Sequence, residues 1–255
     1  MDDLVVVGGL VPSLLIPKES LPQSEDAHIG TMDLDLGLAL GLLDAQRYEN
    51  FTERLRRAGF GPDTNEAGNP TFQRWKIELS EDLKATIDFM IPPSSENDEG
   101  GKLRHIENDF AAVITPGLHL AFRDRRKLSL EGQTIFGGKA SRQIWVCGPG
   151  AFVVLKALAF GKRAENKDAY DLYYMVRNYG SGVEDVCKCL DPLLDDKDTQ
   201  EALEILKRDF SDPDNIGPLA VAEFLYHGRN DDLQADVVGF VGELLRRCEI
   251  GTIYA

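Results

Sequence analysis

Met32-Asp33-Leu34-Asp35-Leu36 alternates apolar and acidic residues with a period of two, which in an extended strand sends both carboxylates to one face and the apolar chains to the other. Upstream, the β-branched run Leu4 to Val7 stops at Gly8-Gly9. Val11-Pro12-Ser13-Leu14-Leu15 then reads as a turn into a helix with proline in its first turn. Residues 17–30 form a polar loop before the acid-bearing strand. Downstream, Asp44 to Ala58 carries apolar residues at helical spacing, with Arg54, Arg56 and Arg57 toward its C-terminal end, and a Gly-Phe-Gly-Pro turn ends it. Phe72 to Leu79 and Lys84 to Ile91 form an antiparallel pair turned through Ser80-Glu81-Asp82, in which Asp88 faces opposite to Ile87 and Phe89.

Residues 93–101 are a solvated loop, and Ala111 to Val146 suggests further short strands with basic turns, including Arg123-Asp-Arg-Arg-Lys127. After Gly148-Pro149-Gly150 the period becomes helical, with helices expected over Ala151 to Phe160, Lys167 to Asn178, Val183 to Leu190, Thr199 to Phe210, Pro218 to Tyr226 and Leu233 to Arg247. The fold class is α/β in the α+β sense. A mixed-sheet domain is expected over residues 1–148, and a helical domain that closes its cleft over 149–255.

The length of 255 residues and an apolar content of 43% supply a core without disulfides or metal staples. Apolar runs such as Ala151 to Phe160 fall short of the ~20 residues a membrane helix needs, so a cytoplasmic protein is expected. Cys147, Cys187, Cys189 and Cys248 match no zinc or disulfide spacing and read as buried thiols. The net charge of −15 argues against a broad nucleic-acid surface. Its distribution is uneven: residues 101–180 hold 13 basic and 7 acidic side chains, while both flanking segments are strongly acidic. A polyphosphate or an RNA end would be drawn to that middle segment.

Two carboxylates on one strand face can hold Mg²⁺ or Mn²⁺ and leave positions for phosphate oxygens, and a third acid from a neighbouring strand would complete a two-metal site. Asp33, Asp35 and Asp88 are the candidates, Asp88 also serving to orient or deprotonate an attacking hydroxyl. A glycine pair such as Gly8-Gly9 lets backbone N–H groups approach phosphates closely. Lys156, set among apolar neighbours, must snorkel, pair with an acid or face a polar cleft. Asp168 and Asp171 share one helix face, Asp168 as a helix-start acid or site residue, Asp171 as a site residue or the partner of Lys167 or Arg163. His28, His105, His119 and His227 show no metal or triad spacing, so a nucleophilic hydrolase finds no support.

Val7-Gly8-Gly9, Thr31-Met-Asp33-Leu-Asp35-Leu, Ile87-Asp88-Phe89, and Lys156-Ala-Leu-Ala-Phe-Gly-Lys-Arg163 followed by Lys167-Asp168-Ala-Tyr-Asp171-Leu-Tyr together resemble the AbiEii/AbiGii toxin group, which includes MenT-type toxins, of the DNA polymerase β-like nucleotidyltransferase superfamily. The resemblance implies transfer of an NMP from an NTP to an acceptor, tRNA or protein, with Mg²⁺ and release of pyrophosphate, in a toxin paired with an antitoxin. It implies that Asp33 and Asp35 bind metal, that Lys156 contacts the triphosphate, that Asp168 or Asp171 completes the site, and that Gly8, Gly9, Ser13 and Arg163 contribute to nucleotide binding. Leu10 stands where the family has Ser or Thr, so either Ser13 substitutes for that phosphate contact or the contact is missing. The alternatives are a degenerate nucleotidyltransferase-like binding module and a D-x-D glycosyltransferase.

Overall fold

A computed structural model describes residues 3–23, 25–39, 45–80, 83–134 and 137–254. Asp44 and the Glu81-Asp82 turn expected from the sequence lie outside them. The chain is mixed α/β and divides into two compact units, the first made of Met1–Leu10 and Thr31–Val146, the second of Val11–Gly30 and Cys147–Ala255. Among the described residues no helix is long and apolar enough to cross a membrane.

The first unit is built on a mixed sheet of nine strands among the described residues: β1 (Leu4–Val7), β2 (Asp33–Leu38), β3 (Gly61–Thr64), β4 (Pro70–Glu78), β5 (Lys84–Ile91), β6 (Leu103–Glu107), β7 (Phe110–Ile114), β8 (Arg125–Gln133) and β9 (Lys139–Cys147). The order is β3-β4-β5-β2-β1-β9-β8, with β7 beside β5 and β6 beside β7. β2 runs antiparallel to β1 and parallel to β5, while β4 is antiparallel to β5.

The alternation expected of β2 is present. Leu34 and Leu36 pack against a buried cluster of Leu38, Trp75, Ile87, Phe89, Ile91 and Phe110. Helix α2 (Ala45–Arg57) lays Phe51 and Leu55 on the same cluster, with the Phe51 ring edge-on to Phe89 at 5.5 Å. Each fully buried side chain of the cluster contributes about 1.5–3 kcal/mol, and the partly buried ones less. Burying one face of β2 and β5 leaves the other face to carry their acids.

Two expectations are corrected here. Arg125, Arg126 and Lys127 are not in a turn but open the nine-residue strand β8, directly after the short helix α3 (Leu120–Arg123). The Gly-Phe-Gly-Pro segment is a turn only at its start, since Gly61 and Pro62 already pair with β4.

The second unit holds α1 (Val11–Leu15), α4 (Pro149–Arg163), α5 (Asn166–Asn178), α6 (Val183–Leu190), α7 (Lys197–Phe210), α8 (Ile216–Tyr226) and α9 (Asp231–Tyr254). Helix α4 packs on α5, α6 and α7, and α5 on α8 and α1. Cys147, Cys187 and Cys248 are buried thiols, whereas Cys189 is only half-buried.

Candidate functional site

In the first unit, the parallel register of β2 and β5 sets Asp33 opposite Thr86 and Asp35 opposite Asp88. Directly paired residues point to the same face, so Asp33, Asp35 and Asp88 form one acidic row on the face away from the phenylalanine cluster. The Thr86 hydroxyl donates to Asp33 Oδ1, and the Asp33 backbone N–H donates to Thr31 Oγ1 at 3.1 Å.

The antiparallel register of β4 on β5 sets Arg74 opposite Asp88. Its guanidinium donates through Nε to Asp88 Oδ1 at 2.8 Å and through Nη2 to Oδ2 at 2.5 Å. This bidentate bond is the strong form of the carboxylate–arginine contact. The Asp88 hydrogen bond raises the Arg74 pKa above its ordinary value against the effect of burial, with the charges of Asp88, Asp33 and Asp63 adding to it. Arg74 and Thr86 were not among the residues singled out by sequence, because only strand register places them on the acids.

Gly8 has φ +73°, and a Cβ added to it would lie 1.8 Å from Asp35 Oδ2. Only glycine fits where the chain leaves β1 beneath that carboxylate. The space expected for a phosphate next to Gly8 is, at this point, filled by Asp35.

The row offers hard oxygen donors of the kind Mg²⁺ takes. The ligand oxygens of Asp33, Asp35 and Asp88 do not gather within 4.8 Å of one another as a preformed three-ligand cage would. Both oxygens of Asp88 are engaged by Arg74, so Asp88 suits a cation only after Arg74 releases it.

In the second unit, α4 ends at Ala164 in the left-handed conformation (φ 51°) and α5 starts two residues later, which folds the helices into an antiparallel hairpin. Lys156 is thereby brought to Asp168 and Asp171, which share a face of α5. Its ammonium donates to Asp168 Oδ1 at 2.8 Å and Asp171 Oδ2 at 2.6 Å. Of the three options open to Lys156 in the sequence, pairing with acids is the one observed. Arg163 grips both oxygens of Asp168 at 2.7 and 2.9 Å, and Lys167 donates to Asp171 Oδ1 at 2.7 Å.

Burial works against the charge of Lys156, Asp168 and Asp171, yet mutual pairing prevails. Asp171 is held below the usual carboxylate range by the His28 hydrogen bond, Lys156 and Lys167, and Asp168 by Arg163 and Lys156. Lys156 is raised by Asp171 and Asp168.

His28, buried in the Val11–Gly30 segment, stacks on Tyr170 with ring centroids 5.1 Å apart and meets Tyr174 edge-on at 4.9 Å. Its Nε2 lies 2.9 Å from Asp171 Oδ1, and its Nδ1 lies 3.0 Å from Ser13 Oγ. Burial lowers the His28 pKa in spite of Asp171. The imidazole is therefore neutral near pH 7, and the ionised Asp171, an acceptor only, requires the hydrogen on Nε2. Nδ1 is left bare, so the Ser13 hydroxyl donates to it. No spacing in the sequence marks it, but the fold assembles a Ser–His–Asp chain of hydrogen bonds from residues 13, 28 and 171.

The chain matches no model of a known protein family and no curated protein.

Proposed function

We propose that the chain is a metal-dependent nucleotidyltransferase, with the fold of that superfamily in its first unit, that moves an NMP from an NTP to an acceptor hydroxyl on RNA or protein. The observation that carries this reading is the acidic row, with Asp33 and Asp35 on one strand and Asp88 in register on the next. Bound Mg²⁺ or Mn²⁺ would supply neutralisation of the triphosphate and of the leaving pyrophosphate. Asp33 and Asp35 would hold the cation, with Thr86 fixing the orientation of Asp33. Asp88, once Arg74 lets go, joins them or takes the acceptor's proton on its carboxylate. A toxin role with an antitoxin partner extends the proposal. It predicts growth arrest on expression that Asp33→Ala relieves.

The test is incubation of the full chain with Mg²⁺, each α-³²P-labelled NTP and total RNA, followed by gel analysis of RNA and protein. Label that disappears in Asp35→Asn supports the reading, and no label with any NTP or acceptor removes it. The bidentate Arg74–Asp88 bond favours a second reading, a nucleotide-binding module without turnover. Metal-dependent NTP binding by wild type, lost in Asp35→Asn and unaccompanied by transfer, would select that one.

A further inference from the structure

We propose that Ser13 is a serine nucleophile for acyl transfer from activated esters, with His28 as its base and Asp171 as the residue that positions the base. The proposal stands on the second unit alone and is independent of the acidic row.

Three observations carry it. The Ser13 hydroxyl lies 3.0 Å from His28 Nδ1, and Asp171 Oδ1 lies 2.9 Å from Nε2, so donor, base and orienting carboxylate form one continuous chain. This is the arrangement of an activated serine, with the two ring nitrogens exchanged relative to the usual order. Second, the ring cannot turn away: it lies against Tyr170 and Tyr174, its side chain is 0% exposed, and Asp171 is anchored in turn by Lys156 and Lys167. Third, Ser13 is half-buried rather than sealed, and its neighbour Gly30 has no side chain. A Cβ on Gly30 would come to 3.3 Å from Ser13 Oγ. The glycine keeps that side of the hydroxyl uncovered.

The step balances without a further reagent. Ser13 Oγ forms a bond to the carbonyl carbon of the ester while its proton passes to His28 Nδ1. The bond from that carbon to the leaving alcohol's oxygen then breaks, and the oxygen takes the proton from Nδ1, leaving acyl-Ser13. Water repeats the exchange, giving a proton to Nδ1, and releases the carboxylic acid and the free hydroxyl. The groups facing the imidazole are Ser13 on α1, Asp171, Lys167, Tyr170 and Tyr174 on α5, and Lys156 on α4. Burial disfavours the imidazolium most, and the two ammonium groups add to that against the pull of Asp171, so the base works from the neutral form.

The experiment is labelling of the full chain with a fluorophosphonate. Its P–F bond is replaced by P–Oγ and the proton leaves with fluoride. Peptide mass spectrometry then locates the adduct, and far-UV circular dichroism checks the fold. The expected result is an adduct on the Ser13 peptide, absent in Ser13→Ala and slowed about 10²-fold or more in a folded His28→Asn variant. In wild type the labelling rate should fall as the pH drops through the His28 pKa, below 6.5. That pH dependence keeps the proposal open to refutation even where His28→Asn fails to fold. No adduct on Ser13, or an adduct forming at a rate that stays independent of pH from 8 down to the acid limit of the folded state, would overturn it.

Discussion

Asp171 and Lys156 are buried together, with side-chain exposures of 0% and 9%, and neither would tolerate burial alone. The consequences of removing them differ. Asp171→Leu leaves the Lys156 ammonium with Asp168 as its remaining acid in the cluster and strips His28 of its acceptor, and should cost about 3–5 kcal/mol. Lys156→Met leaves Asp171 with Lys167 and His28, and Asp168 with Arg163, and should cost clearly less. Urea unfolding of the two variants checks the order, and equal losses would show that the cluster does not distribute charge as described. Gly8 poses a steric rather than an electrostatic demand. Gly8→Ala forces a Cβ onto Asp35 Oδ2 at a positive φ, and should destabilise the first unit by roughly 2–4 kcal/mol in the same assay. Of these residues the acids and Lys156 were visible in the sequence as candidates. Thr86, Arg74 and the role of His28 were not, since nothing local marks them.

Elements were the most legible level. The strands Leu4–Val7, Lys84–Ile91 and the helix Val183–Leu190 stand where their periodicity put them, because a period of 2 or 3.6 is a property of a short window. Strand Leu103–Glu107 was missed: Leu-Arg-His-Ile-Glu has a weak alternation and is a strand because β7 pairs with it. The length of β8 was also hidden, its residues being largely exposed and polar. Helix packing sets a further constraint that the sequence shows only as a glycine. A Cβ on Gly150 would lie 2.5 Å from the Cys189 backbone oxygen and 2.8 Å from Leu190 N, so α4 and α6 touch through backbone. Gly150→Ala cannot be absorbed by a flexible side chain and should destabilise the second unit by about 1–3 kcal/mol, read as a lowered midpoint in thermal or urea unfolding.

For the whole molecule, stability should depend on pH at both ends. Asp168 and Asp171 have folded pKa values below their ordinary 3.8, so their contribution is complete above that value and is lost as pH falls through the folded values. The His28 pKa is also depressed, so its contribution is complete above 6.5 and declines as pH drops from there toward the folded value. Lys156 is raised above 10.5, so its contribution is complete below 10.5 and is lost as pH rises through the folded value. The contribution of this cluster to the urea midpoint should therefore be complete between about 6.5 and 10.5 and fall on either side. His28→Asn should flatten the step just below 6.5, and an unchanged step would assign it elsewhere. The net charge of −15 adds repulsion that salt screens, which separates it from the buried cluster.

By itself the sequence determined the mixed α/β class, the run of helices after Gly148 and the shared face of Asp33 and Asp35, because each follows from composition or from a repeat within a few residues. The tertiary structure alone decided that Arg74 grips Asp88, that Gly8 closes beneath Asp35, that Val11–Gly30 groups with the C-terminal helices, and that Ser13, His28 and Asp171 form one chain of hydrogen bonds. Strand register and close packing bring together residues 14 to 143 positions apart, and no local pattern encodes such pairings.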